Sequence, residues 1–299
     1  MSSKKDFSRY LSKVASNEGI ELSANVLDQL QIYFEVLTEW NKKIDLTSIT
    51  GVEEVAIKHF LDSLMLLKYV DFPQGAKIID VGTGAGFPGM VLKIVRPDLH
   101  ISLLDSLNKR LRFIAEIESD LNLRNLELLH FRAETAGKME LYREKFDFAL
   151  ARAVAPMIQL LEYCVPFVKV DGTFVAMKSR KAKEEVELSE NAAAALGSRL
   201  EKMEEFSLPC PECVNGGESS EEVSVENSEC NASTADPGMD EGSEDVSNVS
   251  EKSEGSILSP DFMYRCLVFY SKFHSTPKRY PRQTGQIRKK VLGEVRVNG

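Results

Sequence analysis

The chain has 299 residues, 43% hydrophobic and 28% charged, the mix of a globular protein of one or two domains with a sizeable core. No apolar run approaches the ~20 residues of a membrane-spanning helix, Met1–Phe7 lacks the apolar centre of a secretion signal, and five irregularly spaced cysteines make no disulfide framework, so a cytoplasmic protein is expected. The net charge of −9 disfavours a nucleic-acid partner only on average: Cys210–Pro260 holds thirteen Asp/Glu against Lys252 alone, which leaves the rest at +3, and Lys272–Lys290 carries seven Lys/Arg and no acid.

Residues 1–72 read as helical. In Val26–Trp40 the apolar Leu27, Leu30, Phe34 and Leu37 recur at three and four, with Ser23 placed to cap the helix. A second helix is predicted over Val52–Tyr69, and Pro73 and Gly75 then mark a boundary. From Ala76 short apolar runs at Lys77–Val81, Ile101–Leu104, Leu126–Leu129, Phe146–Leu150 and Thr173–Met177 alternate with helical stretches at Gly89–Val95, Asn108–Asp120, Met157–Val168 and Ala182–Leu200. That alternation predicts an α/β fold, a mostly parallel sheet covered on both faces. Glu205–Leu208 and Met263–Tyr270 bring the sheet to seven strands. Between them residues 209–260, rich in Ser and acids, cannot bury enough apolar area to order themselves. Such an insertion is tolerated in a hairpin because closure cost grows only logarithmically with length. The expected organisation is a helical region (1–72), an α/β domain (73–208 with 261–275), an acidic disordered insertion (209–260) and a basic tail (276–299).

The sharpest signal is Ile78-Ile79-Asp80-Val81-Gly82-Thr83-Gly84-Ala85-Gly86-Phe87-Pro88-Gly89, a strand running through a glycine turn into a helix. Phe87 stands where a dinucleotide fingerprint needs its third glycine, and Asp80 ends the strand where a dehydrogenase has an apolar residue. An acid there can hold a ligand amine. Asp105 ends the second strand and suits a pair of ribose hydroxyls, or else the N-cap of the following helix. Ala133 and Glu134 follow the third strand, and Arg152 ends the fourth. Four strand ends on one side of a doubly wound sheet suit S-adenosylmethionine, with amino acid, ribose and adenine engaging Asp80/Gly82, Asp105 and Ala133/Glu134 in turn.

Trp40-Asn41-Lys42-Lys43-Ile44-Asp45-Leu46-Thr47-Ser48, His59-Phe60-Leu61-Asp62-Ser63, Ile79–Gly89, Arg96-Pro97 and Leu103-Leu104-Asp105-Ser106 with Lys109-Arg110 resemble the bacterial glucose-inhibited division protein B family, over about residues 20–208 and 263–295. The chain departs from it in the acidic insertion and in Asp45, where Asn is usual. The resemblance implies a Rossmann-like class I S-adenosylmethionine-dependent methyltransferase acting on N7 of a guanosine in the decoding-site loop of 16S ribosomal RNA, free or within the small subunit or its precursor. It implies cofactor contacts at Gly82, Phe87, Asp105, Ser106, Leu107, Ala133, Glu134 and Arg152; Asp80 and Gly84 join them from the turn itself. The residues alone reach only a methyltransferase of nucleic acid.

No Asn/Asp-Pro-Pro-aromatic sequence follows the fourth strand, so the equipment for methylating an exocyclic amine is missing. Guanine N7 carries a lone pair and no proton, so alignment can carry catalysis, worth up to ~7–11 kcal/mol in favourable cases. Arg152, Lys178 and His59 are the candidate catalytic positioners, His59 alternatively a satisfied helix histidine. RNA contacts are expected at Lys109 and Arg110 and, in the tail, at Lys278, Arg279, Tyr280 and Arg282, with Tyr280 stacking on a base. Cys210-Pro211-Glu212-Cys213 has only Cys230 nearby and no His, so no metal is expected. A monomer is expected. Competing readings are a ribose 2′-hydroxyl methyltransferase with Lys178 as base, a nicotinamide-dependent oxidoreductase and a non-catalytic RNA-binding factor.

Overall fold

The computed structural model describes residues 3–211 and 262–292. Of the acidic stretch expected to be disordered, residues 212–260, with Cys213 and Cys230, lie outside the described residues, whereas Pro209 belongs to the sheet. Two helices open the chain, α1 (Ser3–Asn17) and α2 (Ala24–Asn41), the second capped as predicted by Ser23, whose side chain accepts from the Val26 amide. The next helical run, α3 over residues 52–69, is irregular: Val52–Val55, a π-helical turn Ala56–Leu61, then Asp62–Leu64 and Leu66–Tyr69. A π turn inserts a residue into the ladder and re-aims the side chains beside it.

The α/β part runs β1 (Lys77–Val81), α4 (Gly89–Val95), β2 (His100–Asp105), α5 (Asn108–Asp120), β3 (Leu126–His130), α6 (Ala133–Ala136), β4 (Phe146–Arg152), α7 (Met157–Cys164), β5 (Val168–Lys178), α8 (Ala182–Glu187), α9 (Glu190–Ala195), β6 (Ser198–Pro209), β7 (Phe262–Lys272) and α10 (Thr284–Lys289). The sheet order is β3-β2-β1-β4-β5-β7-β6, with β7 antiparallel to both neighbours and the other pairings parallel. This is the seven-stranded, mostly parallel sheet expected, and β6 and β7 pair to the ends of their hairpin at Pro209 and Phe262. Two predicted helices are shorter. The one expected over Met157–Val168 stops at Cys164, because Pro166 drives a 3-10 turn before β5 begins. The one expected over Ala182–Leu200 breaks into α8 and α9 and ends at a turn through Gly197, after which Ser198 starts β6.

Two apolar cores cover the two sheet faces. Phe7, Leu11, Leu30, Phe34 and Phe60 pack in one cluster with Ile78, Met90 and Leu103, so the helical extension and one face of the sheet share a core. The opposite face buries Ile79, Leu104, Ala149, Leu161 and Phe174. Among the described residues no helix is long and apolar enough to cross a membrane.

The basic tail packs against this second face. Tyr280, expected to stack on RNA, is only 7% exposed and joins the core with Ile287 and Leu292. Arg143 pins the segment by donating to the carbonyls of Thr276 (2.6 Å) and Tyr280 (2.8 Å). Arg282, also expected on RNA, closes on the fully buried Glu162 through its backbone amide, Nε and Nη2, the last at 2.6 Å. A buried carboxylate needs such a partner more than RNA needs one further cation. Lys278 and Arg279 remain exposed. Arg282→Ala would strand Glu162 and is expected to cost about 3–5 kcal/mol, read from urea unfolding; a loss below about 1 kcal/mol, the scale of a surface pair, contradicts this account.

Candidate active site

The sheet reverses at β1, with β2 on one side and β4 on the other, which opens a crevice beyond their carboxyl ends. The turn after β1 builds its floor. Gly82, Gly84 and Gly86 have φ of 75°, 62° and 90°. A Cβ on Gly82 would lie 2.7 Å from Val154 Cγ2 and one on Gly86 2.6 Å from the Tyr33 hydroxyl, so both dihedral and space demand glycine. Asp80 Oδ2 accepts from Thr83 Oγ1 (2.7 Å) and the Gly89 amide (2.9 Å), Asp105 Oδ2 accepts from the Gly84 amide (3.0 Å), and the Tyr33 hydroxyl donates to the Ala85 carbonyl. Asp80 is fully buried, and burial pushes its carboxyl up to about 6. It braces the turn from behind rather than lining the crevice, and its Oδ1 has no hydrogen-bond partner.

A cavity of about 430 Å³ lies over the turn, walled by Val81 and Gly82 after β1, Asp105 and Ser106 after β2, Phe131, Ala133 and Glu134 after β3, and residues 153–156 after β4. The structure thus gathers Gly82, Asp105, Ser106, Ala133 and Glu134, with Arg110 beside them; Gly84, Phe87 and Leu107 are not in its lining. Asp105 is not the N-cap of α5, a place taken by Leu107 with no side-chain cap bond, and its carboxylate instead ties the neighbouring loops together at the cavity wall. Its Oδ1 accepts from the Leu107 amide (2.8 Å), shaping the entry to α5, while Oδ2 takes Gly84 and Arg110 Nη1 (3.2 Å) at the cavity wall. Glu134 is 9% exposed and its Oε1 has no partner. Lys109 is exposed on α5 outside this cavity.

Arg152 is not in that lining. Its Nη1 donates to Asp62 Oδ2 (2.9 Å) and the Lys58 carbonyl (3.1 Å), its Nη2 reaches His59 Nδ1 at 3.4 Å, and its guanidinium lies 5.2 Å over the Phe87 ring. Asp62 is buried and shared: Oδ1 accepts from Arg265 Nε at 3.1 Å. The π turn of α3 presents His59 and the Lys58 carbonyl together to Arg152. His59 stacks on Phe87 at 4.9 Å, and its Nε2 meets Thr47 Oγ1 at 2.8 Å. Burial and the neighbouring Arg152 cation push its pKa down to about 3, so the ring is neutral, with Nδ1 accepting and Nε2 donating. Lys178 Nζ is held by Glu185 Oε2 (2.6 Å) and the Ala155 carbonyl (2.8 Å), and the same Glu185 oxygen takes the Met157 amide, so this lysine secures the loop after β4.

Sequence reasoning missed Arg265, Gln159, Tyr163 and Arg288, which lie far along the chain or inside regular helices and carry no local motif. Among the described residues no cluster of His, Cys, Asp and Glu could hold a metal.

The family model described as rRNA small subunit methyltransferase G (GidB) matches residues 26–214. The chain belongs to this family. A protein named ribosomal RNA small subunit methyltransferase G from Alkaliphilus metalliredigens is 47% identical over 64% of this chain and 80% of its own length. One of the same name from Thermoanaerobacter pseudethanolicus is 49% identical over 67% of this chain and 84% of its own. A solved predicted O-methyltransferase from Agrobacterium tumefaciens aligns with a TM-score of 0.45 and 14% identity over 71% of this chain and 80% of that one. The rRNA small subunit methyltransferase G match takes in the crevice residues at the ends of β1 to β4, while Arg265 and Arg288 fall beyond its limits.

His59 supplies a pH signature. The unfolded chain protonates it near 6.5 and the folded protein only near 3, so its contribution to stability is full above 6.5 and is lost as pH falls toward 3. Between pH 7 and pH 5, His59→Gln should remove about 2 kcal/mol of the acid-induced loss of stability. Urea titrations at the two pH values check this; a difference identical to that of the wild-type chain contradicts the buried neutral ring.

Proposed function

We propose that the chain transfers a methyl group from S-adenosylmethionine to N7 of a guanosine in the decoding-site loop of 16S ribosomal RNA, presented free or in a small subunit or its precursor in the cytoplasm. The observation that carries this reading is the convergence of Gly82, Asp105, Ala133 and Glu134 on one cavity in a member of the rRNA small subunit methyltransferase G family. The cavity suits that cofactor. Gly82 offers bare backbone, Asp105 retains lone pairs for ribose hydroxyls beside the amides it already holds, and the unpartnered Glu134 Oε1 is an acceptor whose desolvation only a ligand donor would offset. When bound, S-adenosylmethionine supplies the methyl group from its sulfonium.

The remaining work is positional. Guanine N7 has no proton to lose, so no residue need act as a base. His59 is too weakly basic at neutral pH and has both ring nitrogens engaged. The ribose 2′-hydroxyl reading needs Lys178 as a base, and its ammonium is committed to Glu185. Arg152 is fixed by Asp62 and Lys58, and a guanidinium held rigid in this way can orient a base edge. Neutral Phe87 and His59 form the stacked surface beneath it.

The reading is tested by methyl transfer to ribosomal RNA from cells lacking this protein, with the product nucleoside identified. N7-methylguanosine is expected, formed at a single-turnover rate nearly flat between about pH 7 and 9 because no base titrates. A 2′-O-methyl nucleoside, or a rate rising tenfold per pH unit, overturns it. Glu134→Ala should weaken S-adenosylmethionine binding about tenfold or more while leaving the melting temperature unchanged or higher, since it removes a buried oxygen without a partner; calorimetry and a thermal melt read the two effects.

A further inference from the structure

We propose that the C-terminal segment, residues 276–292, forms the outer wall of the cofactor site, and that Arg288 on α10 is a binding residue for the nucleoside end of S-adenosylmethionine. This rests on the cofactor reading above and adds to it a residue outside the family match, which ends at residue 214.

The segment is fastened where it lies. Arg143 holds its first turn, Arg282 pairs with buried Glu162 of α7, and Ile287 and Leu292 insert into the core. Gln283 and Gln286 close a reciprocal capping box at the start of α10. With Ile287 turned into the core, the adjacent Arg288 lines the cavity together with Tyr163. Lys289 and Lys290 line a different groove, with Arg282 and Gln286. The position is therefore particular to Arg288 and not a general property of the basic run.

Two features say what Arg288 meets. The cavity crosses the sheet from the β1 turn past Asp105 of β2 to Glu134 after β3, and Arg288 and Tyr163 line it together with Glu134. A ligand with its ribose at Asp105 and its long axis along this line puts the purine beside them. The unpartnered Glu134 Oε1 is the second feature: a buried acceptor without a partner, on a residue that lines a wall already containing a cation, calls for a donor from the ligand, and an adenine amine is one. A planar guanidinium completes such a pocket, since it stacks on a purine face and donates at its edge.

Titrating the full chain with S-adenosylhomocysteine, and separately with adenosine, tests this. Arg288→Ala should bind both about tenfold more weakly, while Lys290→Ala binds like the wild type. Arg288 is exposed, so both variants should melt with the wild-type chain. Wild-type affinity in Arg288→Ala overturns the proposal, as does an equal loss in Lys290→Ala, which would assign the effect to overall tail charge. A loss for S-adenosylhomocysteine that is absent for adenosine overturns the nucleoside assignment. Failure of the wild-type chain to bind S-adenosylhomocysteine and S-adenosylmethionine would instead strike the cofactor reading, so the two failures are told apart by the first titration.

Discussion

One buried carboxylate oxygen holds the turn on which the site is built. Asp80 Oδ2 takes the Thr83 hydroxyl and the Gly89 amide at once, tying the last turn of β1 to the first residue of α4. A helix N-terminus favours a negative charge there, which offsets part of the desolvation that pushes this carboxyl up to about 6. With the loop closed in this way its backbone must pass through three left-handed positions, and glycine occupies each. Other elements then fasten to the same turn: β2 through Asp105 on the Gly84 amide, and the helical extension through Tyr33 on the Ala85 carbonyl. The extension is thus part of the site's foundation.

The acids at the strand ends show a gradation that their sequence positions conceal. Asp80 lies behind the turn and is structural in its contacts; Asp105 lines the cavity with both oxygens held by the chain; Glu134 lines it and keeps a buried Oε1 without a partner. Outside the lining Asp62 does for two arginines what Asp80 does for the turn. Arg152 comes from β4 and Arg265 from β7, so a single carboxylate on α3 fixes the helical extension to two strands of the sheet. Removing it would leave two cations with little water and no counter-charge, the costly half of any buried ion pair.

What could be read in advance follows the range of the interactions. β1, α4 and α5 have the predicted bounds, because a strand–glycine turn–helix and a three-four apolar repeat are written locally. Ser23 was legible as a cap for the same reason. The π turn in α3 was not, since it answers to Arg152, more than ninety positions later, and nothing in the periodicity of residues 52–69 announces it. In the candidate site, Gly82, Asp105, Ala133 and Glu134 could be named from the strand ends, while Ser106 entered only through the family resemblance. Phe87 and Arg152 were named as well, but their side chains stack on one another outside the cavity lining. In the tail, where RNA contacts are expected, Tyr280 and Arg282 are engaged by the protein, and in the composition only the sparse Tyr280, Ile287 and Leu292 hint that the segment is tied down.

The three side chains named as positioners are each engaged by the protein itself. Lys178 serves Glu185 and the Ala155 carbonyl, Arg152 serves Asp62 and Lys58, and His59 is neutral with a partner on each nitrogen. Groups so committed make poor proton carriers, because moving a proton onto or off them breaks contacts that the fold uses. They make good rulers. A side chain with two or three fixed partners has little rotamer freedom left, so a base edge laid against it is held with little further entropic cost. Transfer to an atom that carries no proton asks for alignment and nothing else, and the chemistry proposed for this crevice is the chemistry that its immobilised side chains are fitted to assist.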